Sequence, residues 1–223
     1  METLVLIIML LVSFSFILKL TQHGLTGTVV TTVVVALFAG MSWKYAAGMS
    51  KMQIADWLGN QSLMLDTAVF VVVDVACQIA FCFLHARVYA GERLPRFQAV
   101  VWQILKWLPG LLIFPVLLSM LTTAIFSMSG VDFALIGWGL AGVLTVCVPL
   151  AVVAVRTLFP EEDMRLELLF LVNIIILSLG VIATVNGRTA SNGTGAVEWA
   201  ALAAVVALLL TGAAAGIVIN RYK

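Results

Sequence analysis

The chain alternates between long apolar runs and short polar breaks. A helix needs about 20 apolar residues to cross the roughly 30 Å hydrocarbon core of a bilayer. On that criterion the pattern predicts seven crossings, at 4–18, 25–43, 65–86, 100–128, 133–155, 166–185 and 197–219. The expected architecture is an all-α integral membrane protein, a bundle of seven transmembrane helices forming one domain over 1–223.

The third run, LDTAVFVVVDVACQIAFCFLHA, breaks the apolar rule most sharply, because it carries Asp66, Asp74, Gln78 and His85. At about 100° per residue, Asp74, Gln78 and His85 fall within roughly 40° of one another on a helix. Asp66 lies about 80° from Asp74 on the same side. Asp74 is close to the middle of the run. A charged carboxylate there costs at least about 2.5–3.5 kcal/mol, so it must face protein, water or a cation, or hold a proton.

The other runs carry fewer polar signals. Thr26, Thr28, Thr31 and Thr32 crowd the second, where hydroxyls bond the preceding turn or a neighbouring helix. The fourth run is longer than a perpendicular crossing requires, so it should tilt or kink, with Pro109 and Pro115 as the kink sites. Each proline deprives a carbonyl in the preceding turn of its partner. Lys106, two turns inside the basic end, is expected to snorkel outward, with a pairing to Asp74 as the alternative. The fifth run holds GWGLAG, a literal GxGxxG at Gly137–Gly142. A dinucleotide site needs a strand and a βαβ unit around that motif, so here it reads as a small-residue packing face. Gly212 and Gly216 form a GxxxG in the seventh run with the same reading. Asn173 is the one strongly polar interior residue of the sixth and suits a helix-to-helix hydrogen bond, or a second contact to the polar stripe.

Between the second and third runs, Ser50 to Gln53 fits a capping box and Gly59 a helix stop. Met52, Ala55 and Leu58 recur at helical spacing, flanked by Trp43, Tyr45 and Trp57. A short helix lying at the membrane interface is expected there.

Composition sharpens the class. The chain is 63% hydrophobic and 10% charged, with a mean hydropathy of +1.15, whereas soluble domains carry about 25% charged residues. A net charge of +1 gives no support for nucleic-acid binding. Cys77, Cys82 and Cys147 lie inside apolar runs and read as small buried hydrophobes, with no metal or disulfide pattern. With the C-terminus inside, Lys19, Arg87, Arg93, Arg96, Lys106, Arg156, Arg165, Arg221 and Lys223 fall on the inner side. The outer side holds Lys44, Lys51 and Arg188. The asymmetry predicts N-out and C-in. Short loops suit a bacterial cytoplasmic (inner) membrane.

Two functions follow from this pattern. In the first, Asp74 binds a proton or cation, Gln78 hydrogen-bonds the carboxylate or a water, and Asp66 forms the outer mouth. His85, with an ordinary pKa near 6.5, relays protons on the inner side. Asp74 and His85 stand about 16 Å apart along the helix, a gap that water or other helices must fill. In the second, the chain is a non-catalytic accessory or scaffold subunit of a larger membrane complex, and Asp74 pairs with a neighbouring subunit or a second copy. An enzyme is not expected. The two histidines, His23 and His85, and the scattered carboxylates offer no nucleophile with a base, no metal cluster and no cofactor site.

Overall fold

The computed structural model describes residues 2–48, 61–128 and 130–185, with side-chain surroundings for 6–48, 69–128 and 130–182. The described chain is helical, and no strand occurs among the described residues. The elements are α1 (Glu2–Leu20), α2 (Leu25–Met41), α3 (Trp43–Gly48), α4 (Gln61–Tyr89), α5 (Arg96–Trp107), α6 (Ile113–Ser127), α7 (Phe133–Leu158) and α8 (Glu162–Val185). Among the described residues, four stretches are long and apolar enough to cross a membrane: Leu25–Gly48, Val69–Tyr89, Phe133–Leu158 and Glu162–Ile182. Leu6–Leu20 and Ile113–Ser127 are shorter apolar helices. The expected interfacial helix after Ser50, the seventh run with Gly212 and Gly216, and the side chain of Asp66 lie outside the described residues.

The fourth run departs from the expectation of one bent helix. It is two helices, α5 and α6, separated by Leu108–Leu112. The two prolines act differently because of where they sit. Pro109 forces the residue before it out of the helical region, and Leu108 is extended at φ −75° and ψ 114°. Gly110 then turns the chain at φ +105°, a conformation that side-chain-bearing residues rarely adopt. Pro115 falls in the first turn of α6, where amide hydrogens have no intrahelical partner to lose, so it does not break the helix.

Two apolar clusters flank α1. One joins Val12 and Leu18 of α1 to Val75 and Phe81 of α4, Leu105 of α5, and Leu169 and Ile176 of α8. The other joins Phe16 and Leu20 of α1 to Val35 of α2, Ile113 and Leu117 of α6, and Val148 and Val152 of α7. Helix α7 packs closely on α2 and α3 because glycines meet tryptophan side chains at the contacts. A Cβ on Gly40 would lie 2.9 Å from the Trp138 ring, and one on Gly137 would lie 2.8 Å from Trp43. Gly142 meets no described residue within 4 Å. The threonines of α2 bond back along the chain, Thr31 to the Gly27 carbonyl and Thr32 to the Thr28 carbonyl.

Polarity is inverted relative to a water-soluble domain. Lys19, Asp74, Gln78 and Asn173 are buried, while Val29, Leu37, Val69, Val146, Leu150 and Ile175 are exposed. Phe97, Val100, Ile104 and Trp107 form one exposed apolar stripe on α5.

Candidate functional site

Asp74 is 4% exposed and lies against the break between α5 and α6. The backbone N–H of Leu111 donates to its Oδ1 at 2.6 Å. The Leu112 N–H and the Gln78 side chain also face the carboxylate. The amides at a helix start point outward without partners and carry the positive end of the helix dipole. Asp74 therefore accepts from the break just ahead of the N-cap of α6, near the positive end of that helix. Gly110 makes the approach possible, because a Cβ there would come within 2.7 Å of Gln78 Nε2 and 3.7 Å of Asp74 Oδ1.

Beside this carboxylate is a cavity of about 10 Å³, lined by Ser15, Asp74, Gln78, Gly110 and Asn173 among others. That is room for about one water. Asn173 donates through Nδ2 to Ser15 Oγ at 3.0 Å and to the Leu169 carbonyl at 2.8 Å. Three helices thus bring their polar groups to one level: Ser15 from α1, Asp74 and Gln78 from α4, and Asn173 from α8.

Lys19 is the residue that sequence reasoning missed. It is only 1% exposed, and its Nζ has no hydrogen-bond partner among the described residues. The ammonium sits 4.9 Å from the centre of the Phe81 ring, and Asp74 is its nearest opposite charge in effect. A terminal lysine after an apolar run reads naturally as a flank at the membrane surface. The available signal was the helical spacing of Ser15, Lys19 and Gln22, which share about 60° of one face. Gln22 is buried as well, and neither polar atom of its amide finds a described partner.

His85 lies at a second level. Its Nε2 is 3.3 Å from Glu162 Oε1 at the start of α8, and the Trp102 indole donates to its Nδ1 at 3.4 Å. An indole nitrogen can only donate, so Nδ1 is the acceptor and Nε2 carries the proton toward Glu162. The ring is also stacked on Phe81, 5.2 Å between centres. Asp74 and Gln78 are brought together with each other, and His85 is joined to them only through the Phe81–Lys19 layer.

Lys106 neither pairs with Asp74 nor extends fully outward. It is half-buried with its ammonium 4.9 Å over the Trp102 ring. The reason is the break: α5 ends one residue after Lys106, and Asp74 is already met by the amides beyond it. Nearby, His23 is buried in the turn between α1 and α2, edge-on to Trp107. Burial pushes its imidazole below the ordinary value; a hydrogen bond with the Lys106 backbone opposes this, and the Lys106 charge adds to it. Arg156 donates to the Thr21 carbonyl at 3.1 Å and to the His23 carbonyl, tying the end of α7 to this turn. Among the described residues, no three of the histidine, cysteine and acidic side chains gather as a metal site.

The chain matches no family model, no curated protein and no solved structure.

Proposed function

We propose that this chain is a polytopic membrane protein with a proton- or cation-linked transport or conduction step centred on Asp74. The observation that carries the reading is a buried carboxylate held by a backbone amide of the break between two helices, beside a water-sized polar cavity. Half-helices whose ends meet inside a bundle place partial charges where ions are handled. A carboxylate costs too much in such a setting to persist without a use or a strong partner. The exposed apolar surface supports insertion in a bilayer. N-out and C-in orientation rests on the basic residues gathered at Arg87, Arg93, Arg96 and Arg156, and a bacterial cytoplasmic membrane on the short connections.

The test is flux in proteoliposomes, read with an entrapped pH dye and with sodium- and potassium-sensitive dyes. Wild-type protein should dissipate an imposed gradient, and Asp74→Asn should abolish the flux while eluting as a folded, monodisperse species. Equal flux in both would sink the reading.

The accessory-subunit reading is favoured by one observation. Gly139 and Gly142 sit on α7 with no described residue within 4 Å of a Cβ, a surface suited to another helix. Such a subunit predicts a co-purifying partner in mild detergent and no flux from the isolated chain.

A further inference from the structure

The α1 stripe of Ser15, Lys19 and Gln22 faces the α4 stripe of Asp74, Gln78, Phe81 and His85. The shared cavity fixes one end of that match, and the Lys19–Phe81 contact fixes its middle. Helix α8 completes the seam, with Asn173 at the Asp74 level and Glu162 at the His85 level. The two residues are 11 positions apart, as are Asp74 and His85, so both helices separate the levels by about 16 Å. Between the levels the lining is apolar: Phe81 and Leu169 are fully buried. Lys19 is the charged group in that layer.

Resting on the Asp74 reading above, we infer that the ion handled is the proton rather than a metal cation, and that Lys19 carries it across the apolar layer between Asp74 and the His85–Glu162 pair. Three observations support this. First, the Asp74 carboxylate already faces two backbone amides, the positive end of α6 and the Lys19 charge, so a metal cation would enter a site of like sign. Second, Lys19 Nζ, Gln78 Oε1 and both polar atoms of Gln22 are buried without described partners. A lysine fixed as a structural ion pair would have an acceptor, whereas one that changes partners leaves donors and acceptors to spare along its path. Third, lysine has a long flexible arm and gives up its proton in apolar surroundings, which arginine does not.

The transfers balance with protons alone. The Asp74 carboxylic acid gives a proton to the Lys19 amine, leaving carboxylate and ammonium. The Trp102 indole releases the Nδ1 lone pair of His85, and the ammonium passes a proton to it, forming imidazolium. The imidazolium releases its Nε2 proton to the Glu162 carboxylate. One proton enters at Asp74 and one leaves at Glu162; the ring is left with its proton on Nδ1, and a tautomer exchange that gives up the Nδ1 proton and takes one at Nε2 restores the starting form before the next transfer. The other groups facing Lys19 are the Cys77 and Cys82 thiols of α4, and Lys106 lies close enough to His85 to bear on its charge.

The experiment compares wild type, Lys19→Met, Lys19→Arg and Asp74→Asn in proteoliposomes with an entrapped pH dye, under matched sodium and potassium gradients. Methionine fills the same volume without a charge, and far-UV circular dichroism and gel filtration check that each variant is folded. Wild type should relax a pH gradient whichever alkali cation is present. Lys19→Met should lower proton flux about a hundredfold, toward the leak of empty vesicles. Lys19→Arg should not restore it. Wild-type flux in Lys19→Met, or in Lys19→Arg, overturns the carrier role. Flux that follows sodium or potassium at constant pH overturns the proton assignment while leaving Asp74 as the ion site. Wild-type vesicles that relax no gradient of any kind overturn the Asp74 reading itself, and this inference with it.

Discussion

The Asp74 carboxylate receives the Leu111 backbone N–H at 2.6 Å, across 37 positions of sequence. One acid side chain thereby meets the break ahead of a helix to which it does not belong. This contact sets the first expectation. Asp74→Leu leaves the Leu111 amide unmatched in an apolar interior and should destabilise the protein by about 1–3 kcal/mol. Asp74→Asn keeps an acceptor oxygen and should lose less stability while losing flux. Thermal unfolding in detergent, followed by intrinsic tryptophan fluorescence, separates the two.

Gly110 is constrained twice, by its φ of +105° and by Gln78 Nε2 at 2.7 Å from a Cβ. Gly110→Ala should cost about 1–3 kcal/mol from the backbone alone and displace Gln78 from Asp74. Its melting temperature should drop below that of Gly91→Ala. Gly91 also has a positive φ, 79°, but meets nothing within 4 Å.

Lys19→Met removes a buried charge that has no hydrogen-bond partner among the described residues. Burying an ammonium without a hydrogen-bond acceptor costs several kcal/mol, and Asp74 keeps the Leu111 amide when Lys19 is lost. The variant should melt at or above the wild-type temperature even as flux disappears. A fall of several degrees would show that Lys19 holds the bundle together.

His23 should make stability depend on pH. Its folded-state pKa lies below the ordinary value near 6.5, so the folded protein takes up the proton less readily than the unfolded chain does. Its contribution is present above pH about 6.5 and is lost as the pH falls through the folded value. Unfolding temperatures measured from pH 8 to pH 5 should decline, and the decline should be shallower in His23→Gln.

Two glycine-to-alanine changes test the α2–α7 seam and the surface beside it. Gly40→Ala pushes a Cβ to 2.9 Å from the Trp138 ring and should cost about 1–3 kcal/mol. Gly142→Ala meets no described atom and should add about 0.5–1 kcal/mol through helix propensity. Loss of a co-purifying partner in Gly142→Ala would instead mark that face as a subunit contact.

The apolar runs were legible because a helix of this length needs little besides continuous hydrophobicity. The stripe of Asp74, Gln78 and His85 was legible for a similar reason, since one helix fixes the angles among its own residues. The break at Pro109 was half legible. Proline marks a possible fault, but whether the helix bends or stops depended on Gly110 and on an acceptor arriving from α4. Lys19 and Glu162 were not legible as site residues, because each lies at a helix end where charge is ordinary. Only the pairing of α1 and α8 with α4 gives them a role, and nothing in a single sequence states which helices touch.

The contact between Asp74 and Leu111 also orders the birth of the protein. A ribosome delivers Lys19 first, Asp74 next and the Leu111 amide last. When the third apolar run has been made, the helix that follows Leu111 does not yet exist. Only the first hairpin, carrying its hidden ammonium, is there to receive that run. Along the chain, the charge that acts on Asp74 is therefore made before the acid, and the amide that hydrogen-bonds it is made after.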